Sequence, residues 1–130
     1  MLFKWRVSRA SSKTFGEAAE EHALQFLQQH GLRLVERNYR VAAGPRARAG
    51  EVDLIMRDAE GTLVFVEVRA RADASHGGAA ASVGAAKQRR LIYAAQHFLL
   101  NQATPPPCRF DVIAIEGEQI EWLQAAFNAE

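Results

Sequence analysis

Two carboxylates occupy positions where buried strands normally carry apolar side chains. Glu67 interrupts the apolar run of residues 62–69, and Asp53 lies in the alternating run of residues 51–57. Residues 58–61, between these runs, are typical of a tight turn, so the two runs are expected to form an antiparallel hairpin. Pairing across that hairpin brings Asp53 and Glu67 together. Two adjacent carboxylates repel each other unless a proton or a cation lies between them, and such an oxygen-rich pair suits Mg²⁺.

The same residues also permit a purely structural interpretation. Glu67 can pair with Arg69 or Arg71 at the end of the sheet, while Asp53 and Glu51 remain solvated. Surface ion pairs of this kind are common and need no chemical role. From the strand pattern alone, both interpretations stay open.

Two residues on predicted helices favour the chemical interpretation. Glu20 lies one turn before Leu24, at the edge of the inward face of the first helix. Lys87 lies one turn after Val83 and one turn before Leu91, so it interrupts the apolar stripe of the second helix. Either feature alone is common, because helix-edge acids and partly buried lysine stems occur often. Together with the two strand acids they form a more specific set.

The elements that would position these residues follow from periodicity and turn chemistry. The chain is divided into a basic, flexible N-terminus at 1–15 and a single domain at 16–127. Gly- and Ala-rich residues 72–82 predict a mobile loop. The order α-β-β-β-α-β predicts an α/β fold with a mixed central sheet flanked by helices. Helices are expected at residues 16–30 and from an N-cap at Ser82 to about 101, and strands at 32–41, 51–57, 62–69, 108–115 and, as a short edge, 119–123.

Composition excludes several classes of protein. The chain has 130 residues, of which 48% are hydrophobic and 24% charged, enough for a folded core and unlike a disordered or fibrous chain. No apolar run approaches the roughly 18 residues that span a bilayer, so no membrane partner is expected. A single cysteine, Cys108, excludes an intrachain disulfide, and a cytoplasmic location is expected. Cys108 itself is expected to be a core thiol.

The net charge of +1 hides an asymmetry along the chain. All 16 basic residues lie at or before Arg109, against 10 acidic ones, so residues 1–109 carry +6. Arginine is abundant, which suits bidentate phosphate contacts but also follows from GC-rich codon usage. A solvated basic face and a nucleic-acid surface are the two interpretations. The candidate nucleic-acid-binding residues are Arg37, Arg40, Arg46, Arg48, Arg71, Arg89 and Arg90.

Five ordered segments resemble one known family. The residues from Gly50 to Ile55 and from Val64 to Arg71 resemble the GEIDLI…VFVEVKxR signature of the bacterial YraN-like family. The first helix around Glu20, an RNYR segment, a VxxxKxxRL helix and an RFDV strand resemble further family segments in the same order. This family is similar to Holliday-junction resolvases within the PD-(D/E)xK, restriction-endonuclease-like superfamily. The resemblance covers about residues 16–127.

The resemblance implies a metal-dependent nuclease on structured or branched DNA. Asp53 and Glu67 fall on the superfamily's metal-binding carboxylates, and Glu20 falls on the helix acid that joins the site directly or through water. The Val68 carbonyl would complete the site. The implied cofactor is Mg²⁺ or Mn²⁺, which would neutralise the scissile phosphate and activate a water. Junction resolvases act as dimers, so a homodimer is expected.

One position departs from the superfamily pattern. The catalytic lysine of the ExK motif is replaced by Arg69, which stays protonated and cannot act as a general base. Lys87 is the only lysine outside the N-terminal segment, and we hypothesise that Lys87 or Gln88 borders the site and takes over part of this role. The alternative function is a nucleic-acid-binding or interaction module that keeps the fold without turnover. A structural adaptor that binds no nucleic acid is a third, weaker interpretation.

The remaining candidates are secondary. Asp111 lies beside Arg109 on an apolar strand, where it forms a buried ion pair or borders the site, and the structural role is favoured. The four histidines show no paired spacing of the kind that binds zinc.

Overall fold

The computed structural model describes residues 11–42, 49–71 and 83–129, with side chains described from residue 15 onward. Neither described helix is both long enough and apolar enough to cross a membrane. The expected α/β fold is confirmed, and the short edge expected at 119–123 is a regular fifth strand. The elements are α1 (Ser11–Gln29), β1 (Arg33–Val41), β2 (Gly50–Arg57), β3 (Leu63–Arg71), α2 (Ala85–Leu99), β4 (Cys108–Glu116) and β5 (Gln119–Phe127).

Three expected boundaries are wrong. Helix α1 begins at Ser11, inside the segment expected to be flexible, because the apolar repeat that signals the helix starts only at Ala19. Helix α2 has Gly84 as its N-cap, without a side-chain cap, whereas the expected N-cap Ser82 lies outside the described residues. Strand β5 is a full edge strand of nine residues rather than a short one. The expected loop at 72–82 and residues 1–10 and 43–48 lie outside the described residues.

The five strands form one mixed sheet in the order β1-β2-β3-β4-β5. Strands β3 and β4 are parallel, with Glu67 opposite Val112, and the other neighbouring pairs are antiparallel. The parallel pair requires a crossover connection, which α2 supplies. This arrangement is consistent with the expected restriction-endonuclease-like core.

Each face of the sheet carries its own hydrophobic cluster. One cluster joins Ala23, Leu24 and Leu27 of α1 to strand residues such as Leu54 and Val66. The other joins α2, through residues such as Leu91 and Ala94, to Ile55 and Phe65. Because successive strand side chains alternate between faces, the continuous apolar runs of β2 and β3 supply both clusters. The sheet is thus a rigid layer between two helices.

The alternation of faces breaks at one point in β1 and β2. Val52 packs in the α2 cluster, although Leu54, two residues on, packs in the α1 cluster. On β1, Arg37 reaches Glu21 of α1, whereas Tyr39 hydrogen-bonds His97 of α2 through its hydroxyl at 2.6 Å. The strand register places Asn38 opposite Asp53, so these are the residues at which β1 and β2 change faces. Asn38 has a φ of 52°. Asparagine tolerates this left-handed conformation better than most residues, so Asn38 is suited to the bend.

Helix α2 lies directly on the start of β2. A Cβ atom at Gly50 would lie 2.9 Å from the Ala94 backbone nitrogen, closer than real Cβ contacts allow. Glycine therefore permits the close approach of helix and strand. Lys87 lies seven residues before Ala94 and so shares a helix face with it. The depth at which α2 packs on Gly50 thus determines where Lys87 meets the sheet.

Candidate functional site

The Asp53 and Glu67 side chains meet where β2 and β3 separate. The ladder between these strands ends at the pair Leu54 and Val66. Beyond that pair, the Val68 backbone N–H donates a hydrogen bond to Asp53 Oδ2 at 2.8 Å, so a side chain takes the place of the next ladder bond. The carboxyl groups of Asp53 and Glu67 lie within hydrogen-bonding reach of each other. The sequence prediction that the hairpin brings these two acids together is confirmed.

Lys87 approaches this carboxyl pair from α2. Its Nζ lies 3.4 Å from Glu67 Oε2, and its side chain is 35% exposed, whereas that of Glu67 is 9% exposed. The Lys87 side chain is therefore partly open to solvent, while its ammonium group faces the buried Glu67 carboxylate. This geometry confirms that Lys87 borders the acids, as the sequence register predicts.

Burial raises the proton affinity of both acids, and Asp53 raises that of Glu67 further. Burial, followed by repulsion from Asp53, raises the pKa of Glu67 to about 7, against the lowering effect of Lys87. Burial likewise raises the pKa of Asp53, although the Val68 N–H bond, the Glu67 carboxyl and Lys87 oppose the shift. A positive charge placed between the carboxyl groups would relieve both effects. Two carboxylates fit Mg²⁺, which usually takes one or two of them and completes its shell with water.

Glu20 lies at the edge of the site rather than within it. Burial, followed by the charge of Asp53, raises the pKa of Glu20, and a side-chain hydrogen bond from Asn38 acts against this shift. Among the described residues, no group of three His, Cys, Asp or Glu side chains is arranged to hold a metal ion. Glu20, Asp53 and Glu67 therefore do not form a three-carboxylate cluster in this conformation.

Asn38 is the site residue that the sequence analysis misses. It belongs to the RNYR segment, yet its type and spacing give no sign that it hydrogen-bonds Glu20 across from α1. The available signal is conformational, since asparagine favours the left-handed backbone seen here.

Arg69 and Gln88 differ in their placement relative to the acids. Arg69 follows Glu67 by two residues on β3, is half-buried and lies opposite Ala114 of β4. The Gln88 side chain donates a hydrogen bond to the Val83 carbonyl at 2.9 Å, which closes the first turn of α2. Of the two residues hypothesised to replace the missing lysine, Lys87 is thus the one that contacts the acids.

The candidate nucleic-acid-binding arginines are spread over three elements. On β1, Arg37 pairs with Glu21 at 3.1 Å and Arg40 pairs with Glu51 at 3.4 Å. Arg89 and Arg90 are exposed on α2, and half-buried Arg71 ends β3. Arg46 and Arg48 lie outside the described residues.

Asp111 has a structural role, as the sequence analysis favours. Its fully buried carboxylate accepts hydrogen bonds from Arg109 Nε at 3.0 Å, from Trp122 Nε1 at 2.9 Å and from the Ala125 backbone at 2.9 Å. Asp111 pairs in register with Val66, one residue before Glu67, so its side chain lies on the opposite face of the sheet. It holds β5 to β4 and does not border the acids.

The prediction that Cys108 is a core thiol is wrong. Cys108 is the first residue of β4 and is exposed, because the strand enters the core only two residues later, at Phe110.

Comparison with known proteins decides the family. The profile of the uncharacterised protein family UPF0102 matches residues 19–115. The chain belongs to this family. The matched range contains Glu20, Asp53, Glu67 and Lys87, and therefore the whole candidate site.

Relatives within the UPF0102 family share most of their length with this chain. A UPF0102 protein of Methylibium petroleiphilum is 62% identical over 119 residues, which cover 92% of this chain and 98% of the relative. A relative from Albidiferax ferrireducens is 61% identical, with coverages of 92% and 91%. One from Paracidovorax citrulli is 54% identical, with coverages of 93% and 87%. The resemblance stated from the sequence motifs is therefore confirmed at the level of the family.

Proposed function

We propose that this protein binds nucleic acid and hydrolyses phosphodiester bonds in structured or branched DNA, with Mg²⁺ or Mn²⁺ as cofactor. One observation carries the proposal. The Glu67 carboxyl is buried, the Asp53 side chain is partly buried, and the two acids lie together at a gap in the sheet, beside the Lys87 ammonium. A pair of acids with raised pKa values and an adjacent cation is typical of a functional site.

Each residue of the site has a distinct task in this proposal. Asp53 and Glu67 would hold the divalent cation, which supplies charge neutralisation at the phosphate and lowers the pKa of a bound water. Lys87, partly exposed and 3.4 Å from Glu67, stabilises negative charge on the attacked phosphate. Arg69 adds a permanent positive charge but accepts no proton. Lys87 thus takes over, from α2, the role that a lysine at position 69 would have.

A non-catalytic function is the second candidate, and Arg69 is the observation that favours it. In this alternative the protein keeps the fold and binds nucleic acid without turnover. The carboxyl pair would then be a proton-sharing structural contact that Lys87 stabilises.

The setting of the reaction follows from the proposed substrate. We infer that the protein acts in the cytoplasm, where bacterial DNA lies. A homodimer follows by analogy with junction resolvases, because two strands must be cut at a junction.

The test is cleavage of a panel of duplex, flap and four-way DNA substrates with Mn²⁺. We expect the wild type to cut at least one branched substrate and Asp53→Ala to lose the activity. Lys87→Ala should cut at least roughly tenfold more slowly, since one charge-stabilising contact contributes that much or more. Arg89→Ala, which removes the same charge from the same helix, should weaken DNA binding but cut bound DNA nearly normally. Arg69→Lys should not lower the rate.

Two outcomes would decide against the proposal. Cleavage that survives in Asp53→Ala would show that the carboxyl pair is not the site. Binding of branched DNA without cleavage by the wild type, followed by cleavage in Arg69→Lys, would establish the non-catalytic alternative.

A further inference from the structure

A cleft of about 710 Å³ opens between the end of β1, the start of β2 and helix α2. Its lining combines small apolar residues, among them Val41, Ala49 and Gly50, with the charged side chains Arg40, Glu51 and Arg90. Its volume falls within the range of roughly 300–1,000 Å³ typical of pockets for small organic ligands. The cleft is therefore large enough for one nucleotide but not for a duplex.

Glu51 connects the cleft to the carboxyl pair. It lines the cleft and lies two residues before Asp53 on β2. Its carboxylate is 3.4 Å from the Arg40 guanidinium, which is 70% exposed and therefore open to a ligand. A ligand that contacts Glu51 would therefore lie two residues along β2 from the carboxyl pair.

The packing of α2 places Arg90 at this cleft. Gly50 lets the helix approach the strand at Ala94, and Arg90 lies one helical turn before Ala94. Arg89, the preceding residue, is equally exposed, but its side chain is not part of the lining. Two neighbouring arginines of one helix thus differ in whether they face the cleft.

We propose that this cleft receives one unpaired nucleotide of the DNA, next to the scissile phosphate. The inference rests on the proposed function and specifies its substrate as DNA that carries an unpaired base. The exposed Ala42 and Ala49 and the plane of the Arg90 guanidinium offer surfaces for the face of a base, and Arg40 offers donors for its flanking phosphates. The Glu51 carboxylate disfavours an isolated phosphate inside the cleft but can accept a hydrogen bond from a base amino group, as acidic side chains do with cytosine.

The test measures binding of three duplexes that differ at one position, in EDTA so that cleavage plays no part. One duplex is fully paired, one carries a single extra cytidine, and one carries an abasic nucleotide at that place. We expect the wild type to bind the cytidine bulge roughly tenfold more tightly than the abasic bulge, as expected for one base held in a site. Arg90→Gln should lose this difference.

Arg89→Gln is the matched control. Both substitutions remove one positive charge, so both weaken binding to all three duplexes to a similar degree. Arg89→Gln should keep the tenfold preference for the cytidine bulge. Equal binding of the cytidine and abasic bulges by the wild type would overturn the inference, and so would equal preferences in the two variants.

The outcome is separable from that of the proposed function. If the wild type prefers the cytidine bulge but cuts no DNA, the result supports nucleotide binding in the cleft and contradicts the proposed nuclease activity. If cleavage by the wild type depends on Asp53 but the wild type shows no preference for the cytidine bulge, the result contradicts nucleotide binding in the cleft. The proposed nuclease activity then still holds.

Discussion

Three features of its surroundings shift the pKa of Glu67, and they do not all act in the same direction. Burial and the neighbouring Asp53 raise its pKa to about 7, while Lys87 acts against this shift. The residue is therefore close to a balance between its neutral and charged forms near neutral pH. A change of one neighbour, or the arrival of a cation, shifts that balance.

This environment predicts how stability changes with pH in the absence of metal. The folded protein holds a proton on Glu67 up to about pH 7, whereas the ordinary pKa is 4.5. Between these values the folded state binds more protons than the unfolded state, so stability falls as the pH rises. Thermal unfolding in EDTA should give a lower Tm at about pH 8 than at about pH 5.

Glu67→Gln should flatten this pH dependence, because glutamine does not titrate. Glu118→Gln, a substitution at an exposed turn, serves as the control and should behave as the wild type. A Glu67→Gln profile with the same slope as the wild type would show that Glu67 is not the titrating group.

At the scale of single elements, the contact between α2 and β2 controls the geometry of the site. Gly50 lies against the Ala94 backbone, and the same helix carries Lys87 and Arg90. Gly50→Ala forces the helix away from the strand, which should destabilise the fold by about 1–3 kcal/mol. Gly16→Ala is the contrasting variant, since its Cβ meets no atom within 4 Å. Removing a helical glycine should stabilise α1 by about 0.5–1 kcal/mol.

Urea unfolding of both glycine variants checks this prediction. The two substitutions add the same methyl group, so opposite signs isolate the steric effect at Gly50. If Gly50→Ala were as stable as the wild type, the helix would not be confined by this contact.

Strand β5 depends on a single buried acid. Asp111 accepts bonds from Arg109, Trp122 and the Ala125 backbone, and its removal leaves buried donors without a partner. Asp111→Ala should therefore cost about 3–5 kcal/mol in the free energy of unfolding, as for other broken buried ion pairs. Asp111→Asn keeps an acceptor oxygen and should lose less. Urea denaturation measures both, and an unchanged midpoint for Asp111→Ala would contradict the structural role.

The sequence predicts the regular parts of these elements better than the irregular ones. Residues 51–57 and 62–69 alternate or run apolar without interruption, and the hairpin that they predict is the one observed. The length of β5 is missed because Ala125 has a φ of 52°, which breaks the period-two pattern beyond Leu123. The bend at Asn38 is missed for the same reason. Conformations with positive φ in residues other than glycine leave little trace in a hydrophobicity pattern.

At the scale of the whole molecule, the charges are distributed unevenly along the chain. The first 109 residues carry +6 and contain every basic side chain, while the acids after Arg109 accompany β4 and β5. The pairing of Asp53 with Glu67 was predictable from strand alternation and a short turn. The contact of Lys87 with Glu67 was predictable in its direction, from the helix register, but its distance depends on how closely α2 packs on Gly50. That depth is a tertiary property, which no local pattern specifies.

The central claim is that the Asp53–Glu67 pair binds a divalent cation. Titration calorimetry with Mn²⁺ tests it directly, with Glu118→Gln as a folded control of equal charge change. We predict saturable binding by the wild type and by Glu118→Gln, and its loss in Asp53→Asn and Glu67→Gln, each shown by circular dichroism to be folded. Mn²⁺ binding by Asp53→Asn and Glu67→Gln that equals that of the wild type would contradict the claim.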